Sequence, residues 1–203
     1  MTGRLKTTGT LIGKLRRESG MKLKGVQDVA GVRVVVAGTR RDQDDAVARV
    51  VAAFTGPAKP PQVKDRRSEP SSGYRAVHVV VFEGGLPVEV QIRTELQDLW
   101  AQVFERLADR WGRAIRYGGE LDEPDAVALG SDPPITRREL VEFLRQLGDR
   151  IDKVEQARVE VHDVADDQAP ATNRAGHVVG LTDFESSIRR MLPVLMHYAT
   201  EEA

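Results

Sequence analysis

Between residues 74 and 111 the placing of apolar side chains leaves the backbone little choice. Val77, Val79, Val80 and Val81 crowd β-branched groups into one short run, and Gly84-Gly85 follows. Val88, Val90 and Ile92 then alternate with Glu89, Gln91 and Arg93. Branching at Cβ restricts χ1 and suits a pleated chain, and paired glycines supply the positive φ that a two-residue turn demands. The segment therefore predicts a β-hairpin, Tyr74 to Phe82 with Leu86 to Arg93. Directly after it, Leu96, Leu99, Trp100, Val103, Phe104, Leu107, Ala108 and Trp111 recur every three or four residues, which predicts a long amphipathic helix. Thr94 and Gln97 have the spacing of a capping box at its start. Trp100 and Trp111 lie on the apolar stripe and read as core side chains rather than base-stacking platforms.

The same logic places a strand at Val32 to Ala37 and a helix at Asp44 to Phe54, whose Ala46, Val47, Val50, Val51 and Phe54 share a face. A Pro-rich connector with Gly56, Pro57, Pro60 and Pro61 follows, then a polar loop from Lys64 to Gly73. Strand and helix patterns mixed in this way predict an α+β domain over residues 1–118. Residues 119–134 are acidic and rich in Gly and Pro and read as a linker. Residues 135–203 read as a helical extension. There Thr136 and Glu139 form a capping-box pattern that opens a helix bearing Leu140, Phe143, Leu144, Leu147, Ile151 and Val154. A last helix is expected to begin near Thr182 to Glu185, with Phe184, Ile188, Met191, Leu192 and Leu195 on its stripe and a polar segment, 163–176, before it. These stripes would allow self-association through the C-terminal helices.

Composition removes several classes of chemistry. The 203 residues include no cysteine, so thiol nucleophiles, zinc ribbons and disulfide frameworks are excluded. Thirty Lys and Arg against 31 Asp and Glu give a net charge of −1, so any anion site is local rather than a global basic field. No stretch approaches the ~20 apolar residues that span a bilayer, and a cytoplasmic protein is expected.

The polar residues of the last hairpin strand must share a face because strand side chains alternate; alone, this describes any half-exposed strand. Lys6, Thr10 and Lys14, spaced four apart with Arg4 just before them, could align on a helix and grip a polyphosphate, or simply form a solvated basic face. Asp28 immediately precedes a strand, and Arg33 and His78 interrupt apolar runs, where a polar group is costly unless it is partnered or faces a cleft. Tyr74 follows the flexible Ser71, Ser72 and Gly73 and could be either packing or a stacking surface.

In this order, Arg4, Lys6, Thr10 and Lys14, then Asp28 to Arg33, then Lys64 and Asp65, then Gly73, Tyr74 and His78, then Glu89, Gln91, Arg93 and Thr94, the chain resembles the synthetase domain of the RelA/SpoT alarmone family, especially its stand-alone small synthetases. The resemblance spans residues 4–94. It implies a nucleotidyltransferase-like mixed sheet flanked by helices, and transfer of pyrophosphate from ATP to the 3′-hydroxyl of GDP or GTP. By position it implies Arg4 and Arg33 at the adenine, and Lys6, Thr10 and Lys14 at the ATP phosphates. Tyr74 would stack on the acceptor guanine, with Lys64, His78 and Arg93 also on the acceptor side. Asp28 and Glu89 would hold Mg²⁺, and Glu89, with Gln91 beside it, would polarise the attacking hydroxyl. Gln62 stands where the family usually has an arginine, and Glu69 to Ser72 where it usually has a Pro-Lys pair. Those lost charges keep open a related transfer to the 3′ end of tRNA or to adenine nucleotides, and a degenerate nucleotide-binding or partner-binding module is a third reading.

Overall fold

Alternating valines build the sheet, and the length of the apolar stripes sets the helices. The computed structural model describes residues 2–5, 8–17, 20, 26, 29–56, 59–129, 133–165 and 171–201. Five strands, β1 (Thr2–Leu5), β2 (Ala30–Val36), β3 (Gln62–Asp65), β4 (Val77–Glu83) and β5 (Leu86–Thr94), form one sheet in the order β1-β2-β5-β4-β3. β2 and β5 run parallel and every other pair antiparallel, so the sheet is mixed. The helices are α1 (Thr8–Arg17), α2 (Arg40–Ala53), α3 (Glu95–Trp111), α4 (Arg137–Ala165) and α5 (Ala171–Glu201). Among the described residues no helix is long and apolar enough to cross a membrane. The chain divides into two compact units, residues 1–66 with 76–94, and residues 67–75 with 95–203.

In the first unit, Val79, Val81, Val90 and Ile92 are buried on one sheet face, joined by Val34, Val36 and Val88 and covered by Ala46, Val47, Val50 and Val51 of α2. The fully buried Gln43 amide donates to the Ile92 carbonyl at 2.9 Å, tying α2 to β5. The predicted hairpin is present, with Gly84 and Gly85 at φ 55° and 79°. Two strands went unforeseen. β3 occupies the start of the expected Lys64 to Gly73 loop, and β1 precedes the expected basic helix. Both are four-residue edge strands, too short to carry an alternating signal, and they form because a neighbour offers open hydrogen-bonding positions.

The second unit is built on α3. Its Leu96, Trp100, Val103, Phe104, Leu107, Ala108 and Trp111 are buried against Leu140, Val141, Leu144, Leu147 and Ile151 of α4 and Ile188, Leu192 and Leu195 of α5. Both tryptophans are core, as their place on the stripe predicts, and the Trp100 indole N–H donates to the Leu144 carbonyl at 2.7 Å. Phe143, expected on the α4 stripe, lies instead on the exposed side. Three boundaries differ from expectation. α5 begins at Ala171, so Thr182 to Glu185 lies inside it, and α4 runs on to Ala165, so helix occupies most of the expected polar segment. The expected linker contains β6 (Val127–Leu129), which pairs with β7 (Ile135–Thr136) and buries Ala128. The Gln97 amide donates to Glu155 of α4 at 2.7 Å, a buried tie between helices beyond any role at the cap.

Candidate active site

Residues paired across neighbouring strands point to the same side of a sheet. One row of Cα partners runs Arg33 (β2), Gln91 (β5), His78 (β4) and Lys64 (β3); the next runs Gly31, Glu89, Val80 and Gln62. Both rows lie opposite the α2 face, because their neighbours along each strand, such as Val34, Val90, Ile92 and Val79, belong to the α2 core. The register therefore gathers onto one face five residues that the sequence marked separately: Arg33, Lys64, His78, Glu89 and Gln91. Arg93 completes the set two residues further along β5.

Four of these form a connected chain. Arg93 donates to the Gln91 side-chain oxygen at 3.1 Å, the Gln91 amide N–H donates to Glu89 Oε2 at 2.9 Å, and His78 Nδ1 lies 3.1 Å from Glu89 Oε1. The two ends dictate the middle. A guanidinium has only donors, so it takes the amide oxygen of Gln91 and leaves the NH₂ to face the carboxylate. The His78 and Glu89 side chains keep 13% and 12% of their exposure and Arg93 keeps 1%, so these bonds act with little water to weaken them. Glu89 is thus held at both oxygens.

Arg4 lies on β1, its backbone paired with Gly31 beside Glu89. Thr10 and Lys14 lie on α1 at four-residue spacing. Lys6 and Asp28 lie outside the described residues. Tyr74 belongs to the second unit, half-buried against its core. Among the described residues no group of three or more His, Asp or Glu could hold a metal. Glu89 does offer a carboxylate, the hard oxygen donor that Mg²⁺ takes one or two of while water and phosphate fill its other positions. Sequence reasoning left Lys64 in a loop; the alternation of Gln62 and Lys64 about Val63 was the available signal. It passed over Arg75 altogether, a buried cation between Tyr74 and the β4 valines.

Residues 3–108 match the family described as the region found in RelA and SpoT proteins. An uncharacterised protein of Mycobacterium tuberculosis is 43% identical over 133 residues, 66% of this chain and 47% of its own length. The chain thus spans about half the length of the curated relatives it matches. Among solved structures, the small alarmone synthetase 1 of Bacillus subtilis matches with a TM-score of 0.54 and 23% identity over 80% of each chain. The same enzyme bound to its product pppGpp matches with a TM-score of 0.53 and 24% identity, over 78% of this chain and 76% of that one. At these identities the likeness is one of fold.

Proposed function

The chain belongs to the RelA/SpoT family, and on that premise we propose that it transfers pyrophosphate from ATP to the 3′-hydroxyl of GDP or GTP, making (p)ppGpp, with residues 1–118 bearing the site. The observation that carries this reading is the chain Arg93, Gln91, Glu89, His78 on the sheet face opposite α2. A ribose hydroxyl is a poor nucleophile, and a fixed, desolvated carboxylate is suited to take its proton as the oxygen attacks the β-phosphorus. The bond from β-phosphorus to the bridging oxygen then breaks, and AMP leaves. Glu89 is the proposed acceptor of that proton, with Gln91 and His78 aiming its two oxygens and Arg93 aiming Gln91.

Arg33 and Arg4 are proposed at the adenine, because a planar guanidinium stacks on a purine better than an ammonium does. Lys6, Thr10 and Lys14 are proposed at the ATP phosphates. Lys64, in the His78 row, Tyr74 and Arg93 are proposed on the acceptor side. Glu89, with Asp28, would hold Mg²⁺, which supplies charge neutralisation on the phosphate oxygens when bound. A cytoplasmic location, where both nucleotides are at hand, goes with this reading.

The test is incubation with β-labelled ATP and, separately, GDP, GTP, ATP alone and tRNA. Label on GDP or GTP with matching AMP release is the expected result. Label only on tRNA or on adenine nucleotide would overturn the guanine acceptor and favour the second transferase reading. Gln62, in the Glu89 row where the family usually has an arginine, motivates that reading.

A further inference from the structure

Arg75 is an arginine with 8% of its surface exposed, next in sequence to Tyr74. A buried guanidinium is expensive unless its charge is balanced, and here two carboxylates of α4 balance it, Asp149 through a hydrogen bond and Asp152 as an ion-pair partner. NH2 lies 2.9 Å from Asp149 Oδ1, Nε lies 3.2 Å from Asp152 Oδ1, and NH1 donates back to the Gly73 carbonyl at 3.3 Å. A planar fork gripping two carboxylates and its own turn fixes direction as well as distance, which a single ammonium would not.

The turn itself is pressed against the same helix. Ser72 and Gly73 have φ of 50° and 87°, and the Tyr74 N–H donates to the Ser71 carbonyl at 2.9 Å, a tight turn with both central residues left-handed. A Cβ at Gly148 of α4 would stand 2.7 Å from the Gly73 carbonyl oxygen, and a Cβ at Gly73 would meet Trp100 at 2.9 Å and the Arg145 backbone at 3.2 Å. Two glycines thus allow turn and helix to touch backbone to backbone. The turn is also tied at its start, where the Ser71 hydroxyl donates to the Arg116 carbonyl at 3.2 Å.

We propose that α4, which lies beyond the family-matched residues 3–108, sets the acceptor specificity of the enzyme: the Arg75 clamp on Asp149 and Asp152 and the Gly73 to Gly148 contact are positioning devices that fix the Tyr74 ring for the guanine of the acceptor nucleotide. This rests on the reading of Tyr74 given under the proposed function. It makes the helical extension a working part of the acceptor side rather than an appendage.

The experiment is calorimetric titration of the full chain with GDP and, separately, a non-hydrolysable ATP analogue, for the unaltered protein and for Gly148→Ala, Arg75→Lys and Tyr74→Ala. Gly148→Ala is the informative variant, because alanine favours the helix that it occupies while its methyl pushes the turn away. GDP affinity is expected to fall about tenfold or more in all three variants, with the ATP-analogue affinity of Gly148→Ala unchanged. If Tyr74→Ala weakens GDP while Gly148→Ala and Arg75→Lys bind it normally, the positioning role is overturned and the reading of Tyr74 stands. If Tyr74→Ala binds GDP normally, or the unaltered protein binds none, the reading of Tyr74 fails and the positioning role falls with it. Equal loss of both nucleotides in Gly148→Ala would show general damage and overturn the specificity claim.

Discussion

Glu89 and Gln91 divide the work of the sheet face opposite α2 between a charge and the group that aims it. Glu89→Gln keeps the shape of the side chain but removes its charge and turns one acceptor oxygen into a donor, so label transfer from ATP is expected to fall about 10²–10⁴-fold with ATP binding largely retained. Undiminished turnover would contradict the proposed role. Gln91→Leu tests the aiming: it takes the acceptor from Arg93 and the donor from Glu89 together. Losing two such buried hydrogen bonds costs about 1–3 kcal/mol, so urea unfolding of the variant should shift to lower concentration. Its kcat should drop with little change in the KM for ATP. The polar face of β5 was readable from alternation alone. The partnership of His78 with Glu89 was not, since they are eleven positions apart and only the hairpin register makes them diagonal neighbours on one face.

At the scale of elements, turn and cap chemistry is local, and so most of it was legible. Gly85 sits at φ 79°, where an L side chain is strained, and Gly85→Ala should cost about 1–2 kcal/mol of stability in chemical unfolding. The box at the start of α4 is present as spaced in the sequence: the Thr136 N–H and hydroxyl both donate to Glu139 Oε2 at 2.8 Å, and the Glu139 N–H donates to the Thr136 hydroxyl at 3.3 Å. The Thr136 backbone N–H, and then its hydroxyl, hold the Glu139 carboxyl below its usual value of 4.5. A depressed carboxylate stabilises the folded state above its unfolded pKa, and that contribution disappears as pH falls through the lower folded value. Thr136→Ala should therefore lower the melting temperature by about 2–4 °C at pH 7, and the gap to the unaltered protein should narrow as the pH is taken below 4.5. A gap that widens in acid would show that the box is not its source. The edge strands β1 and β3 were hidden, because backbone pairing with neighbouring strands, not local pattern, produces them.

For the whole molecule the larger apolar core belongs to α3, α4 and α5 together, with Leu107 and Leu144 fully buried in it. A chain cut after residue 118 would leave the α3 stripe uncovered, and large uncovered apolar faces bind dyes and aggregate. Such a truncation should bind the dye ANS strongly and lose its near-ultraviolet circular dichroism, whereas the full chain should do neither; a native spectrum from the short form would show that α3 finds its cover elsewhere. The sequence by itself determined which residues are apolar in step with a strand or a helix, and hence the hairpin, α2, α3 and the polar face of β5, because period and turn chemistry are properties of neighbours in the chain. Only the tertiary structure decided that residues 67–75 contact α4, that Lys64, His78 and Arg33 share a row with Gln91, and that the Arg75 charge is met by Asp149 and Asp152. Those pairings join residues up to 77 positions apart, Arg75 to Asp152, and no local periodicity records the partner that a folded chain brings to a buried charge.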